Sequence, residues 1–298
     1  MTKRTSIAIA LSMVLLATSA AAAHAVTAGS ACKIKGKQVI VAKVRYQCVT
    51  RNKKLVWTRV APLPSTKATS AAPTFTGSIT VFAAASLTES FNVIAADFQK
   101  VNPQAHVTLS FGGSSALATQ INNGAPADVF ASASNTNMQQ VLDAKQTTNP
   151  VTFARNRLMI VTPPNNPANI NSLSDLAKST VKVAICQLQV PCGAVAKAVF
   201  ANARIAVTPV TYEADVKSVL TKVLLGEVDA GLVYVTDARS AGSAVNAIAI
   251  PSALNAETTY PISLLRASAN PATAKAFIDF VLSDRGAAAL AAVGFTVL

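Results

Sequence analysis

The sequence predicts an α/β fold in which a mostly parallel sheet carries helices on both faces. From Gly77 to the end, short apolar segments alternate with segments whose apolar residues recur at helical spacing, as is typical of such folds. Several apolar segments end at a small or hydroxyl residue where the next helix begins, and ligands bind at such points. About 270 residues follow the amino-terminal leader, enough for two lobes with a core each.

The amino terminus predicts a secretory signal peptide over residues 1–25. Lys3 and Arg4 precede an apolar run at 7–16, and Ala23 and Ala25 supply the small residues that a signal peptidase recognises. A membrane anchor is the alternative, but the run is shorter than the roughly 20 residues that a spanning helix needs. We therefore expect export, to a periplasm or to the outer face of the cell membrane or cell wall.

Residues 26–61 are predicted to form a small basic module rich in β-strands, and residues 62–76 a linker of Pro, Ser, Thr and Ala. Residues 1–76 hold 12 Lys and Arg and no acid, whereas residues 77–298 hold 14 Lys and Arg against 13 acids. A uniformly basic protein would indicate a nucleic-acid partner. A basic segment before a nearly neutral body argues against one and favours contact with an anionic cell envelope.

The linker is followed by a regular series of predicted elements. The strands are predicted near residues 79–83, 107–111, 128–131, 158–161, 181–186, 231–235, 245–250 and 262–265. The helices are predicted near 87–101, 137–144, 193–203, 215–225 and 271–282, with a short one through Leu117 and Ile121.

The four cysteines predict two disulfides, Cys32–Cys48 and Cys186–Cys192, on grounds of proximity and of an oxidising compartment. Two buried free thiols at 186 and 192 are the alternative. Neither spacing suits a zinc site or a redox Cys-x-x-Cys. His106 is the only histidine after the predicted cleavage site, so neither a metal centre nor a hydrolase triad is expected.

Three strand ends are followed by a small or hydroxyl residue and a helix start, at residues 84–86, 113–115 and 191–193. A helix start has free backbone N–H groups and a partial positive charge, which suit an anion. Ser86 also begins a Ser-Leu-Thr-Glu capping box, which is the structural alternative for that residue. Three such starts around one crevice would favour an anion site.

Five segments resemble the periplasmic molybdate-binding proteins, in the same order along the chain. They are residues 79–88, 111–121, 124–130, 190–193 and 231–234, and the resemblance covers residues 77–298. It implies a two-lobed type II periplasmic-binding-protein fold with a two-stranded hinge. The first lobe would hold residues 77–155 and 240–298, and the second 156–239.

The resemblance also implies the residues that hold the oxyanion. They are the hydroxyls of Ser86, Ser114 and Tyr234 and the backbone N–H groups of Cys192 and Val216, with Ser115 as the alternative to Ser114. All of these groups are hydrogen-bond donors, as a dianion with four acceptor oxygens requires. The expected ligand is molybdate or tungstate, with no cofactor and no metal other than the molybdenum of the anion.

The resemblance further implies a monomeric, non-enzymatic receptor that delivers its anion to the membrane permease of an ABC importer. Two other interpretations stay open. The same fold could bind sulfate or another tetrahedral oxyanion, or the basic module could lead a surface-adhesion protein. In the importer interpretation, the basic module would contact anionic envelope polymers while the receptor serves its permease.

Overall fold

A computed structural model describes residues 26–42, 44–60 and 75–298. The predicted signal peptide and most of the predicted linker lie outside the described residues. The chain divides into two compact units, residues 1–71 and 72–298. Within the described ranges, no helix combines the length and the apolarity that a bilayer crossing needs.

The module is a three-stranded antiparallel sheet made of β1 (Gln38–Val41), β2 (Val44–Arg51) and β3 (Lys54–Arg59). Cys48 on β2 faces Trp57 on β3, and both side chains are buried. The Cys32–Cys48 disulfide is present, as predicted. A sheet this small buries little apolar surface, so the disulfide matters for its stability. Closing a loop with a sequence separation of 16 residues adds about 3 kcal/mol to the free energy of unfolding on a chain-entropy estimate.

Residues 75–298 form ten strands and eight α-helices. The strands are β4 (Thr76–Ala84), β5 (Gln104–Gly112), β6 (Val129–Ala131), β7 (Val151–Thr162), β8 (Val183–Cys186), β9 (Thr211–Glu213), β10 (Ala230–Tyr234), β11 (Asn246–Ala249), β12 (Glu257–Leu264) and β13 (Thr296–Val297). The helices are α1 (Thr88–Val101), α2 (Ser114–Asn122), α3 (Asn135–Asp143), α4 (Pro191–Ala203), α5 (Val216–Leu224), α6 (Val235–Ala241), α7 (Pro271–Val281) and α8 (Asp284–Val293). Every predicted strand and helix is found, and β9, β13, α6 and α8 are additional.

The first lobe is built on β5, β4, β6 and β12, in that order across the sheet. Successive residues of β4 point to opposite faces, so one strand serves two cores. Val81 packs with Phe91 of α1 and Phe277 of α7, while Phe82 packs on the other face with Leu117 of α2. Helices therefore cover both faces, as the alternating pattern predicted.

The second lobe is built on β10, β8 and β9, which run parallel, with β11 added beside β7. Its core includes Val199 of α4, Val219 of α5 and Leu232 of β10. The parallel strands of each lobe pair through antiparallel neighbours, β12 and β7, so the whole sheet is mixed.

Two crossings connect the lobes. The first is β7, whose residues 151–157 pair with β12 in the first lobe and residues 158–161 with β10 in the second. The second crossing lies between β11 and β12. Because Val245 and Ile250 still belong to the second core, the chain returns to the first lobe after residue 250 and not at the expected 240.

Candidate functional site

One cleft brings together the ends of elements from both lobes. Ser86 and Ser114 line it from the first lobe. Cys192, Val216 and Tyr234 line it from the second. All five residues expected to hold an anion therefore surround the same space, whereas Ser115 is not among the lining residues.

Ser86 lies in a short 3₁₀ turn, Ala85–Leu87, between β4 and α1. Its Oγ is 2.8 Å from the Tyr260 hydroxyl, and both side chains are buried. The capping-box interpretation of Ser86 is wrong, because α1 takes Leu87 as its N-cap and has no side-chain cap. Ser86 Oγ forms its hydrogen bond with the Tyr260 hydroxyl instead of capping the helix, and this bond holds it at the wall of the cleft.

Ser114 is the first residue of α2, and Gly113 alone separates it from the end of β5. Its Oγ accepts a hydrogen bond of 2.9 Å from the backbone N–H of Ala133, which also lines the cleft. A serine hydroxyl has one proton to donate. Since the Ala133 bond uses the oxygen only as an acceptor, the Ser114 proton is available to a group in the cleft.

The two lobes approach each other closely at Gly113, which precedes Ser114. A Cβ atom at this position would overlap the backbone carbonyl oxygen of Ala214, which belongs to the second lobe. The backbone angles of Gly113, φ −63° and ψ 129°, suit any residue. The glycine is therefore required by the contact between the lobes and not by the local conformation.

Cys192 lies in the first turn of α4, where Pro191 occupies the first helical position. Its disulfide to Cys186, at the end of β8, ties the helix start to the preceding strand. A side chain at Gly193 would overlap the carbonyl oxygens of Cys186 and Gln187, so only glycine fits inside this turn. The early N–H groups of α4 are thereby held at the cleft.

Val216 is the first residue of α5, and Asp215 caps that helix. One oxygen of Asp215 accepts from the backbone N–H of Ser218 at 2.9 Å, and the other accepts from the Ser218 hydroxyl at 3.2 Å. Among the residues that the structure describes, Asp215 is the only charged one that lines the cleft. Its carboxylate is thus engaged with its own helix, and the rest of the lining is neutral.

Tyr234, at the end of β10, is fully buried, and its hydroxyl has no hydrogen-bond partner among the described residues. Burial raises the pKa of this phenol well above its usual range, so the group stays a neutral donor. An unpaired buried hydroxyl costs about 1–3 kcal/mol. A ligand that accepts a hydrogen bond in the cleft would remove that cost.

The site also contains residues that the sequence did not reveal. Tyr260 lies on β12, 174 positions from Ser86 in the chain, and no local pattern links the two. The ring of Tyr260 also packs edge-on against Tyr234, with 6.3 Å between the centroids. Ala133 contributes only its backbone, so its type carries no signal.

Neutral donors and helix starts are the chemistry that this cleft offers. Three helices, α2, α4 and α5, begin at it, and each presents free N–H groups and a partial positive charge. Over the described residues, no group of three or more His, Cys, Asp or Glu side chains could hold a metal ion. The arrangement suits a small anion that is fully deprotonated.

Comparison with known proteins gives a consistent result. The family described as bacterial extracellular solute-binding protein matches residues 79–296. The molybdate-binding protein ModA of Mycobacterium tuberculosis H37Rv is 41% identical over 219 residues, which are 73% of this chain and 84% of that protein. ModA of Escherichia coli K12 is 32% identical over 232 residues, 74% of this chain and 90% of that protein.

Among solved structures, the Azotobacter vinelandii periplasmic molybdate-binding protein superposes with a TM-score of 0.66 at 20% identity. The superposition covers 74% of this chain and 99% of the Azotobacter chain. This likeness bears on the fold. It agrees with the two-lobed fold described above.

Proposed function

Because this chain belongs to the family of bacterial extracellular solute-binding proteins, we propose that it is the exported receptor of a molybdate importer. In this proposal, molybdate binds in the cleft between the lobes, and tungstate, which has nearly the same size and charge, binds at the same place. The receptor performs no reaction and needs no cofactor.

The observation that carries this proposal is the set of neutral donors around the cleft. Ser86, Ser114 and Tyr234 present hydroxyl groups, and the starts of α4 and α5 present backbone N–H groups. Molybdate at neutral pH has four acceptor oxygens and no proton. Each hydrogen bond to a charged acceptor contributes about 1.5–3 kcal/mol, so a few such donors hold the dianion without a cationic side chain.

The same set of groups argues against phosphate. At neutral pH phosphate retains a proton and gains from an acceptor that faces it. In the described part of the chain, Asp215 is the one carboxylate that lines the cleft, and its two oxygens already accept from Ser218. Sulfate has no proton either, so it would be excluded by size and not by chemistry. The names of the two ModA relatives favour molybdate over sulfate.

The importer context follows from the family. We propose that the loaded, closed receptor docks as a monomer on the permease of an ABC importer and releases its anion there. The predicted signal peptide supports export to a periplasm or to the outer cell surface. The basic module would then hold the receptor against anionic envelope polymers.

Calorimetric titration of the mature chain with molybdate, tungstate, sulfate and phosphate tests the ligand. We expect tight binding of molybdate and tungstate, much weaker binding of sulfate, and none of phosphate at the same concentration. Binding of phosphate as tight as that of molybdate, or no heat with molybdate, would contradict the proposal.

A further inference from the structure

A cluster of charged side chains joins the two lobes outside the cleft. Glu89 is in the first turn of α1, on the first lobe. Its Oε1 accepts from Lys217 Nζ at 2.6 Å and from Ser240 Oγ at 2.8 Å. Lys217 is on α5 and Ser240 is on α6, both on the second lobe. None of the three residues lines the cleft.

The partners of this cluster are fixed to separate cores. Phe91 of α1 packs in the first lobe, whereas Val219 of α5 and Ala238 of α6 pack in the second. Among the hydrogen bonds of residues 75–298, those of Glu89 are the only ones between side chains that join the lobes away from the two crossings. Separating the lobes would therefore break both.

Lys217 is held in place from behind by Asp237 of α6. Its Nζ is 3.0 Å from Asp237 Oδ1, and Asp237 is fully buried. The other oxygen of Asp237 accepts from the backbone N–H of Tyr234 at 3.2 Å. Lys217 directly follows Val216 in the chain, and Asp237 is hydrogen-bonded to the backbone of Tyr234. Val216 and Tyr234 both line the cleft, so the cluster is linked to the cleft wall at two points. A change in the position of Lys217 is thus coupled to the anion-facing groups.

The electrostatics of Glu89 and Lys217 favour their charged forms, although burial raises the pKa of the neighbouring Asp237 to about 6. Burial opposes the charge on Glu89, but hydrogen bonds from Lys217 and Ser240 lower its pKa overall. Burial also opposes the charge on Lys217, but the neighbouring Asp237 and Glu89 raise its pKa overall. The side chains of Lys217 and Glu89 are 26% and 32% exposed, so their attraction is less screened by solvent than that of a surface pair.

We propose that Glu89, Lys217 and Ser240 form an interlobe latch that stabilises the closed receptor and sets how long the anion is retained, without touching it. This inference rests on the proposed function. A ligand that binds the closed form gains affinity in proportion to the population of that form. The latch breaks on opening and leaves the approach of the anion unchanged, so its effect falls on the dissociation rate.

The variant Glu89→Gln tests the latch, because it keeps the size of the side chain and removes its charge. In the full mature chain we expect molybdate to dissociate roughly three- to tenfold faster by stopped flow, with an association rate within about twofold of the parent. Ser240→Ala should change the rate in the same direction by less. Asp97→Asn is the matched control, since its ion pair with Lys100 lies wholly on α1.

Hydrogen exchange of the anion-free chain provides a readout that needs no ligand. Peptides that contain residues 190–194 and 214–218 should exchange faster in Glu89→Gln than in the parent or in Asp97→Asn. Absence of molybdate binding by the parent would refute the proposed function, and the exchange comparison would still decide the latch. Unchanged dissociation and unchanged exchange in Glu89→Gln, or equal changes in Asp97→Asn, would overturn the latch.

Discussion

The hydroxyl oxygens of Ser86 and Ser114 are each hydrogen-bonded to a different group of the protein. These bonds predict how much affinity and stability the removal of each hydroxyl costs. Ser86→Ala leaves the buried Tyr260 hydroxyl without this partner, and Ser114→Ala leaves the buried Ala133 N–H unpaired. We expect either change to weaken molybdate binding by about 1.5–3 kcal/mol, about ten- to a hundredfold. Each should also lower the free energy of unfolding by about 1–3 kcal/mol.

Ser115→Ala is the control for this pair, because Ser115 is adjacent in sequence but is not part of the cleft wall. Its affinity, measured by the same titration, should stay within about twofold of the parent. Parent-like binding by both Ser86→Ala and Ser114→Ala would show that the anion is held elsewhere.

Tyr234 predicts opposite effects on binding and on stability. Tyr234→Phe removes a buried hydroxyl that has no partner among the described residues. We expect the anion-free protein to be as stable as the parent or more stable by up to about 1 kcal/mol, since an unpaired polar group is lost. Molybdate affinity should fall about ten- to a hundredfold, measured by calorimetry beside a urea melt. A large loss of stability with unchanged affinity would mean that the hydroxyl serves the fold.

The start of α2 gives a test at the scale of an element. Gly113→Ala suits the local backbone, so the substitution should be tolerated when the two lobes are apart. In the closed form, however, the new methyl group would overlap the carbonyl oxygen of Ala214. We therefore expect molybdate affinity to fall more than tenfold in a calorimetric titration.

Gly112→Ala is the matched control for that substitution. A Cβ atom there would meet only the side chain of Leu117, at 3.6 Å, which is ordinary van der Waals contact. Its affinity should remain close to that of the parent. If Gly113→Ala bound molybdate as tightly as Gly112→Ala, close approach of the lobes at this point would not be needed for binding.

The sequence predicted most of the elements and, from local patterns, two of the three helix starts at the cleft, those of α2 and α4. Apolar spacing identified α1 and α5, and the turn residues identified where helices begin. Only the capping-box alternative for Ser86 was wrong, since the partner of its hydroxyl, Tyr260, is remote in the chain. Helix α6 was missed because it has only 7 residues, too few for a clear apolar period.

The boundary between the lobes could not be predicted closely for a related reason. Periodicity identifies β11 as a strand but does not reveal which sheet it joins. In the structure, β11 pairs with the second half of β7 and so extends the second lobe beyond residue 240. Strand direction and sheet membership are set by contacts between distant segments, and one sequence carries no direct record of them.

At the scale of the whole molecule, the excess positive charge is concentrated in the part of the sequence that precedes the receptor domain. Ten Lys and Arg lie between Lys33 and Lys67, with no acid among them. We expect this segment to tether the chain to anionic cell walls through electrostatic attraction. Retention in a cell-wall pull-down should therefore fall steeply as the Debye length shortens from about 10 Å at 0.1 M salt to about 3 Å at 1 M.

A truncated chain that begins at Gly77 is the control for the tether. It keeps the receptor domain and removes the basic segment, so it should be washed from the walls at low salt and still bind molybdate. Equal retention of both chains, or retention that is indifferent to salt, would leave the module without this role.

Strand β7, which both lobes share, determines how the receptor unfolds. Residues 151–157 of β7 pair with β12 of the first lobe, and residues 158–161 pair with β10 of the second. If either core melts, the adjoining half of β7 loses its partners, and the unpaired backbone groups destabilise the remaining half. The two lobes should therefore unfold as one cooperative unit, with a single calorimetric transition. Damage to the core of one lobe would then shorten the lifetime of both.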